Sequence, residues 1–175
     1  ILILIVIIFS IIYYNRFIKL KNKSEDAWSG IDVQLQRRYD LIPNLLETIK
    51  GYASHEKDII KKITTSRAQA MGAGSRTSKA PNENMLTESL KSLFALSENY
   101  PDLKANSNFQ KFQEQLSEIE DELQMARRYY NGAVRENNNA VETFPGNILA
   151  GVFGFGAIDF FESDPEAVDN VNVKF

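Results

Sequence analysis

The sequence predicts an all-α fold: an antiparallel helical bundle of three to four helices, two of them long, following one N-terminal transmembrane helix. Three observations predict it. Residues 1–14 (ILILIVIIFSIIYY) are almost wholly apolar, with Ser10 as the one polar interruption. From Trp28 onward, and again from Phe109, apolar residues recur at alternating spacings of three and four, the period of a helix with one buried face. No set of partner strands follows the apolar run to build a competing sheet. The 175 residues suit one domain of ordinary size, and a net charge of −3 gives no general basic field for nucleic acid. With no cysteine, disulfides, thiol nucleophiles and Cys-type zinc sites are excluded.

The first element is an anchor over residues 1–20. A span needs about 20 apolar residues. The chain starts at Ile1 without a Met, so further apolar residues are expected upstream, and Phe17, Ile18 and Leu20 extend the run downstream. Tyr13 and Tyr14 suit a membrane interface. Arg16, Lys19, Lys21 and Lys23 follow, and by the positive-inside bias this flank is cytoplasmic and the short N-terminus outside. A signal peptide would carry a small-residue cleavage site, and none follows. A buried strand would need partners. An ordinary solvated turn is the plain reading of the lysines.

A bundle domain is expected over 24–161. Its first helix starts near Ser24, with Glu25 and Asp26 at the positive end of its dipole. Trp28, Ile31, Leu35, Tyr39, Ile42, Leu46, Ile49, Ala53, Ile60 and Ile63 form its stripe, which fades near Met71. Pro43 removes a donor and crowds the Tyr39 carbonyl, yet the phase continues across it, so the expectation is one kinked helix. A true break with Asp40 as cap is the alternative. A mobile loop is expected at 72–83, then a short helix capped by Asn84 and carrying Leu86, Leu90 and Leu93.

The second long helix opens on a Ser107–Gln110 capping-box pair. Phe109, Phe112, Leu116, Ile119, Leu123, Ala126, Tyr130, Ala133, Asn137, Ala140 and Phe144 then follow without a slip, and only Asn137 is polar. Pro145-Gly146 ends it, and Asn147 can cap a short apolar helix through Val152. Residues 162–175 form an acidic tail.

Four ordered segments carry a family resemblance: AWSGIDVQLQRRYDLIPNLLETIKGYASHE (27–56), LFALSENYPDLKAN (93–106), ARRYYNGAVRENN (126–138) and FPGNILAGVFGF (144–155). In this order they resemble the LemA family over nearly the whole chain. Gly30 and Gly132 depart from it, where bulkier or polar residues are usual. The resemblance implies a bacterial inner-membrane protein with a short N-terminal arm, one span and an antiparallel helical bundle. It brings no enzymatic activity and no catalytic residues.

The residues offer little chemistry of their own. His55 is the only histidine, and the Glu of a Glu-x-x-His metal pattern would fall on Tyr52. Gly72-Ala73-Gly74 lacks the Lys of a phosphate-binding loop. Glu118, Glu120, Asp121 and Glu122 read as a solvated face. No catalytic residue, metal or cofactor is expected. Two constellations remain. Arg37, Arg38, Asp40 and Asn44 surround Pro43, and Tyr100, Arg127, Tyr130 and Asn131 can complete a polar cluster, with Asn44 or Arg127 as donor to the Tyr39 carbonyl. This reads either as a structural network that fixes the helix register or as a recognition notch. Phe153, Phe155, Phe160 and Phe161 lie in an apolar cluster that either caps the bundle or forms a docking patch on membrane or partner. Val171, Val173 and Phe175 alternate with polar residues, as in a peptide that adds to a sheet edge or in a disordered tail.

The leading function is a membrane-anchored, non-enzymatic scaffold that contacts the bilayer through residues 1–20, presents its bundle to protein partners and can associate with itself. One alternative is a ligand-binding or enzymatic bundle using Arg37, Asp40 and Arg127. Another is a self-assembling, membrane-remodelling protein.

Overall fold

A computed structural model describes residues 1–161 with the exception of Ser54. The acidic tail and its Val/Phe ending lie outside the described residues. The fold is all-α, six helices with no strand among the described residues.

The anchor and the first bundle helix are one element, α1 (Leu2–Lys50). The separate start expected at Ser24 does not occur. Residues 21–24 hold no glycine or proline, and Ser24 is buried with its hydroxyl donating back to the Leu20 carbonyl at 3.1 Å, a bond made inside a helix and not at its cap. Pro43 lies within α1, as the unbroken apolar phase requires. The interruption comes at Gly51 instead, where Tyr52 and Ala53 turn back onto the Ile49 carbonyl at 3.0 and 2.8 Å. Glycine costs a helix about 1 kcal/mol relative to alanine. The stripe masked this break because Ala53 is still buried.

Helix α2 (Lys57–Gly72) buries Ile63, Ser66 and Ala70. Helix α3 (Arg76–Ser97) starts inside the stretch expected to be a mobile loop. Ser75 caps it: its side chain accepts from the Ser78 amide at 3.1 Å, and Ser78 Oγ accepts from the Ser75 amide at 3.2 Å. Serine in place of Glu or Gln at the third position hid this box. A short α4 (Pro101–Lys104) has proline in its first turn, where a missing donor costs nothing.

Helix α5 (Ser107–Glu142) carries the expected stripe. Its cap is Asn106, not Ser107: Asn106 Oδ1 accepts from the amides of Asn108 and Phe109 at 2.9 and 3.0 Å. Phe144 lies past the helix end and is 80% exposed. Helix α6 (Gly146–Phe153) ends on Gly154 at φ 73°, a left-handed conformation that suits glycine. The Phe155 amide then donates to the Ala150 carbonyl at 2.9 Å.

Two compact units share these helices. The anchor-bearing unit comprises Ile1–Leu35 and Asp121–Phe160. The hairpin unit comprises Gln36–Glu120 and, of the described C-terminus, Phe161. In the anchor-bearing unit α1 and α5 run antiparallel. Trp28 meets the ring of Tyr130 edge-on at 5.2 Å, Lys23 pairs with Glu136 at 2.7 Å, and Phe17 packs in one cluster with Ala140, Val141 and Ala150. The second long helix thus returns toward the anchor. In the hairpin unit α2 and α3 pack together, with Ser66 and Ser89 hydroxyls in contact at 3.1 Å between buried Ile63, Leu86 and Leu90.

Candidate functional site

The polar groups expected to gather around Pro43 divide between the two units. In the hairpin unit, Arg38 is 3% exposed and Glu83 is fully buried. Arg38 Nη1 pairs with Glu83 Oε2 at 3.5 Å, and Nη2 donates to Thr87 Oγ1 at 2.6 Å and faces Glu120 Oε2 at 3.6 Å. The Tyr39 hydroxyl donates to the other Glu83 oxygen. Each oxygen of the buried carboxylate is therefore met by a donor, the condition under which an ion pair is tolerated in an apolar interior.

Pro43 has no amide hydrogen to offer the carbonyl of Tyr39, four residues earlier. Arg67 Nε of α2 donates to that oxygen at 2.9 Å. The expected donors were Asn44 and Arg127; Asn44 is exposed, and its carbonyl receives the Thr48 hydroxyl at 3.1 Å. The proline thus becomes a docking point for α2. Arg37 is exposed, and exposed Asp40 accepts from Gln36 Nε2 at 2.7 Å, one helical turn away. Tyr100 donates to Glu56 Oε1 at 2.6 Å. That bond, with burial and the charge of Glu56 behind it, holds the phenol above its usual pKa.

Glu83, Thr87 and Arg67 were not among the candidates. The signal for Glu83 lay in the spacing of Ala80, Glu83, Leu86, Leu90 and Leu93, which places a carboxylate in an apolar stripe; Thr87 and Arg67 carried none. Reading 72–83 as loop removed it from view. Glu120, read as solvated, is half-buried against Arg38.

In the anchor-bearing unit, fully buried Tyr130 donates to the Asp159 carbonyl at 2.8 Å. Asn137 Nδ2 donates to the Gly156 carbonyl at 3.2 Å. Asn138 makes a two-way clasp with Ile158, donating to its carbonyl at 2.9 Å and accepting from its amide at 2.8 Å. These neutral groups satisfy backbone that has no secondary structure of its own. Half-buried Arg127 and Asn131 belong to this unit. Lys23, bonded to Glu136, is held above the usual lysine pKa by that bond; desolvation opposes the shift and the charge of Glu136 adds to it.

The four phenylalanines of the second constellation separate. Phe153 and Phe155 meet Tyr14 edge-on at 5.2 and 5.7 Å, and Phe155 also meets Phe17 at 5.2 Å. Phe160 is exposed, and Phe161 is buried in the hairpin unit. A groove of about 610 Å³ between α2 and α3 is lined by Lys61, Lys62, Met85 and Glu88 among others, and by none of the predicted cluster. Among the described residues no group of three His, Asp or Glu side chains is placed to hold a metal ion. Helix α1 carries one stretch long and apolar enough to cross a membrane.

A profile of the LemA family matches residues 27–175. The chain is 27% identical to a protein LemA of Metamycoplasma hominis, over 89% of this chain and 72% of that one. It is 24% identical to magnetosome protein MamQ 1 of Paramagnetospirillum magneticum and 22% identical to magnetosome protein MamQ of Magnetospirillum gryphiswaldense, over 87% of this chain in each case. It spans 65% of the length of those two magnetosome proteins.

Proposed function

The chain belongs to the LemA family, and on that premise we propose that it is a non-enzymatic scaffold of the bacterial inner membrane, anchored through residues 1–20 and presenting its helices to protein partners. The observation that carries this reading is how the buried polar groups are used. Arg38, Glu83, Tyr39 and Thr87 bond to one another, and Arg67 serves the Tyr39 carbonyl. The chain's strongest polar constellation is spent on holding helices together. Chemistry would need such groups aimed into a solvent-reachable pocket.

The basic flank of Arg16, Lys19, Lys21 and Lys23 supports a cytoplasmic bundle and an outward N-terminus. Relatives named both for LemA and for a magnetosome protein fit a bundle whose partners, not a fixed reaction, set its role. Crosslinking in native membranes, followed by purification of the tagged chain, tests the reading. A reproducible protein partner or self-association is expected, and recovery of neither would defeat it. Concentration-dependent assembly of the purified chain into polymers that deform vesicles would favour the membrane-remodelling alternative.

A further inference from the structure

We propose that α6 is a second membrane contact: its exposed apolar face, together with Phe144, lies in the headgroup–acyl boundary at the point where α1 leaves the bilayer. The proposal rests on the anchor and not on the scaffold reading.

The first argument is position. Helix α6 packs on the C-terminal end of the apolar run. Tyr14 holds Phe153 and Phe155 by ring contacts, Phe17 holds Phe155, and Ala150 shares a buried cluster with Phe17. Gly146 sits so close to the Ala140 carbonyl that a side chain there would collide with it, and the Tyr13 ring is near the same point. Tyr13 and Tyr14 end the apolar run, and Arg16 opens the basic flank. Tyrosines followed by cations mark the depth at which a span meets headgroups. Whatever packs on those tyrosines shares that depth.

The second argument is composition. Residues 143–158 contain no charged side chain. Within them Phe144 is 80%, Val152 72% and Ile148 59% exposed. A contiguous apolar surface of this kind marks an interaction site. At eight residues α6 is about 12 Å long, too short to span, so its place in a bilayer is the interface. Lipid is favoured over a protein partner because Phe153 of the same helix, itself partly exposed, rests on the partly exposed Tyr14 of the anchor, and because Arg16, Lys19, Lys21 and Lys23 follow that tyrosine and attract anionic headgroups.

The absence of cysteine makes the test direct. Single substitutions Ile148→Cys and Val152→Cys are spin-labelled in the full chain and reconstituted into phosphatidylcholine–phosphatidylglycerol vesicles. Leu4→Cys serves as the lipid reference and exposed Met125→Cys as the aqueous one. Collision with oxygen and with a water-soluble nickel chelate is measured by power saturation. At both α6 positions nickel accessibility should fall several-fold below that at Met125 while oxygen accessibility rises toward that at Leu4. Nickel accessibility equal to that at Met125 would overturn the proposal by placing α6 in water. Shielding from both reagents would overturn it in favour of a protein covering the patch.

Discussion

In the hairpin unit the buried polar groups are charged and answer one another, Arg38 to Glu83, with Tyr39 and Thr87 completing the set. In the anchor-bearing unit the neutral side chains of Tyr130, Asn137 and Asn138 give their bonds to the backbone of residues 156–159. The difference follows from what each must join. The hairpin unit brings α1 against α3 through long side chains, and an ion pair selects one register because any other strands a charge. The anchor-bearing unit must hold a stretch without helix or strand, whose amides and carbonyls need short, two-way partners.

Removing one half of the ion pair should give the largest effect. Glu83→Ala leaves Arg38 buried without its main counter-charge and should cost about 3–5 kcal/mol. Urea denaturation reads the loss, and hydrogen exchange should speed up most in α2 and α3. The double replacement Arg38→Met with Glu83→Leu should recover most of it. A single variant costing under about 1 kcal/mol would mean that the pair holds no register, and the contrast between the units would collapse.

A smaller loss is expected from Gly146→Ala, which forces a methyl against the Ala140 carbonyl. Overpacking of this kind costs about 1–3 kcal/mol. Faster exchange should appear in α6 and the end of α5, with protection in α2 and α3 unchanged. Equal loosening of both sets of helices would show that the two units unfold as one.

Smallest is the response to alkali, which sharpens the comparison at the surface. Tyr100 and Lys23, one in each unit, are both held above their ordinary pKa by hydrogen bonds to glutamates. A raised folded value means stabilisation that is complete below the unfolded pKa, about 10 for either group, and lost as pH rises through the folded value. Both ties should therefore weaken together above about pH 10. Tyr100→Phe should remove the tyrosine part, followed by tyrosinate absorbance and by stability against pH. An unchanged pH dependence in that variant would show that the Glu56 bond contributes nothing.

Local periodicity settled much of this protein from sequence alone. The apolar run and the stripe from Phe109 to Ala140 state their helices outright, since a 3.6-residue period needs no knowledge of what lies opposite. Asn137 was legible as the one polar intruder in that stripe, though not its partner, the Gly156 carbonyl 19 residues away. Of the polar site, Arg38 and the Tyr39 carbonyl, whose usual helical donor Pro43 lacks, could be named in advance. What answers them could not, because Glu83 lies 45 residues from Arg38 and Arg67 lies 28 residues from Tyr39. Tertiary structure also decided where α1 ends. Gly51 and Pro43 both weaken a helix, and at Pro43 the donor that proline removes is supplied from α2 by Arg67. It decided, too, that α6 rests on the tyrosines at the end of the apolar run. Sequence spacing fixes which face of a helix is buried, but only the packed chain brings a distant donor to a carbonyl or an apolar helix to the foot of an anchor.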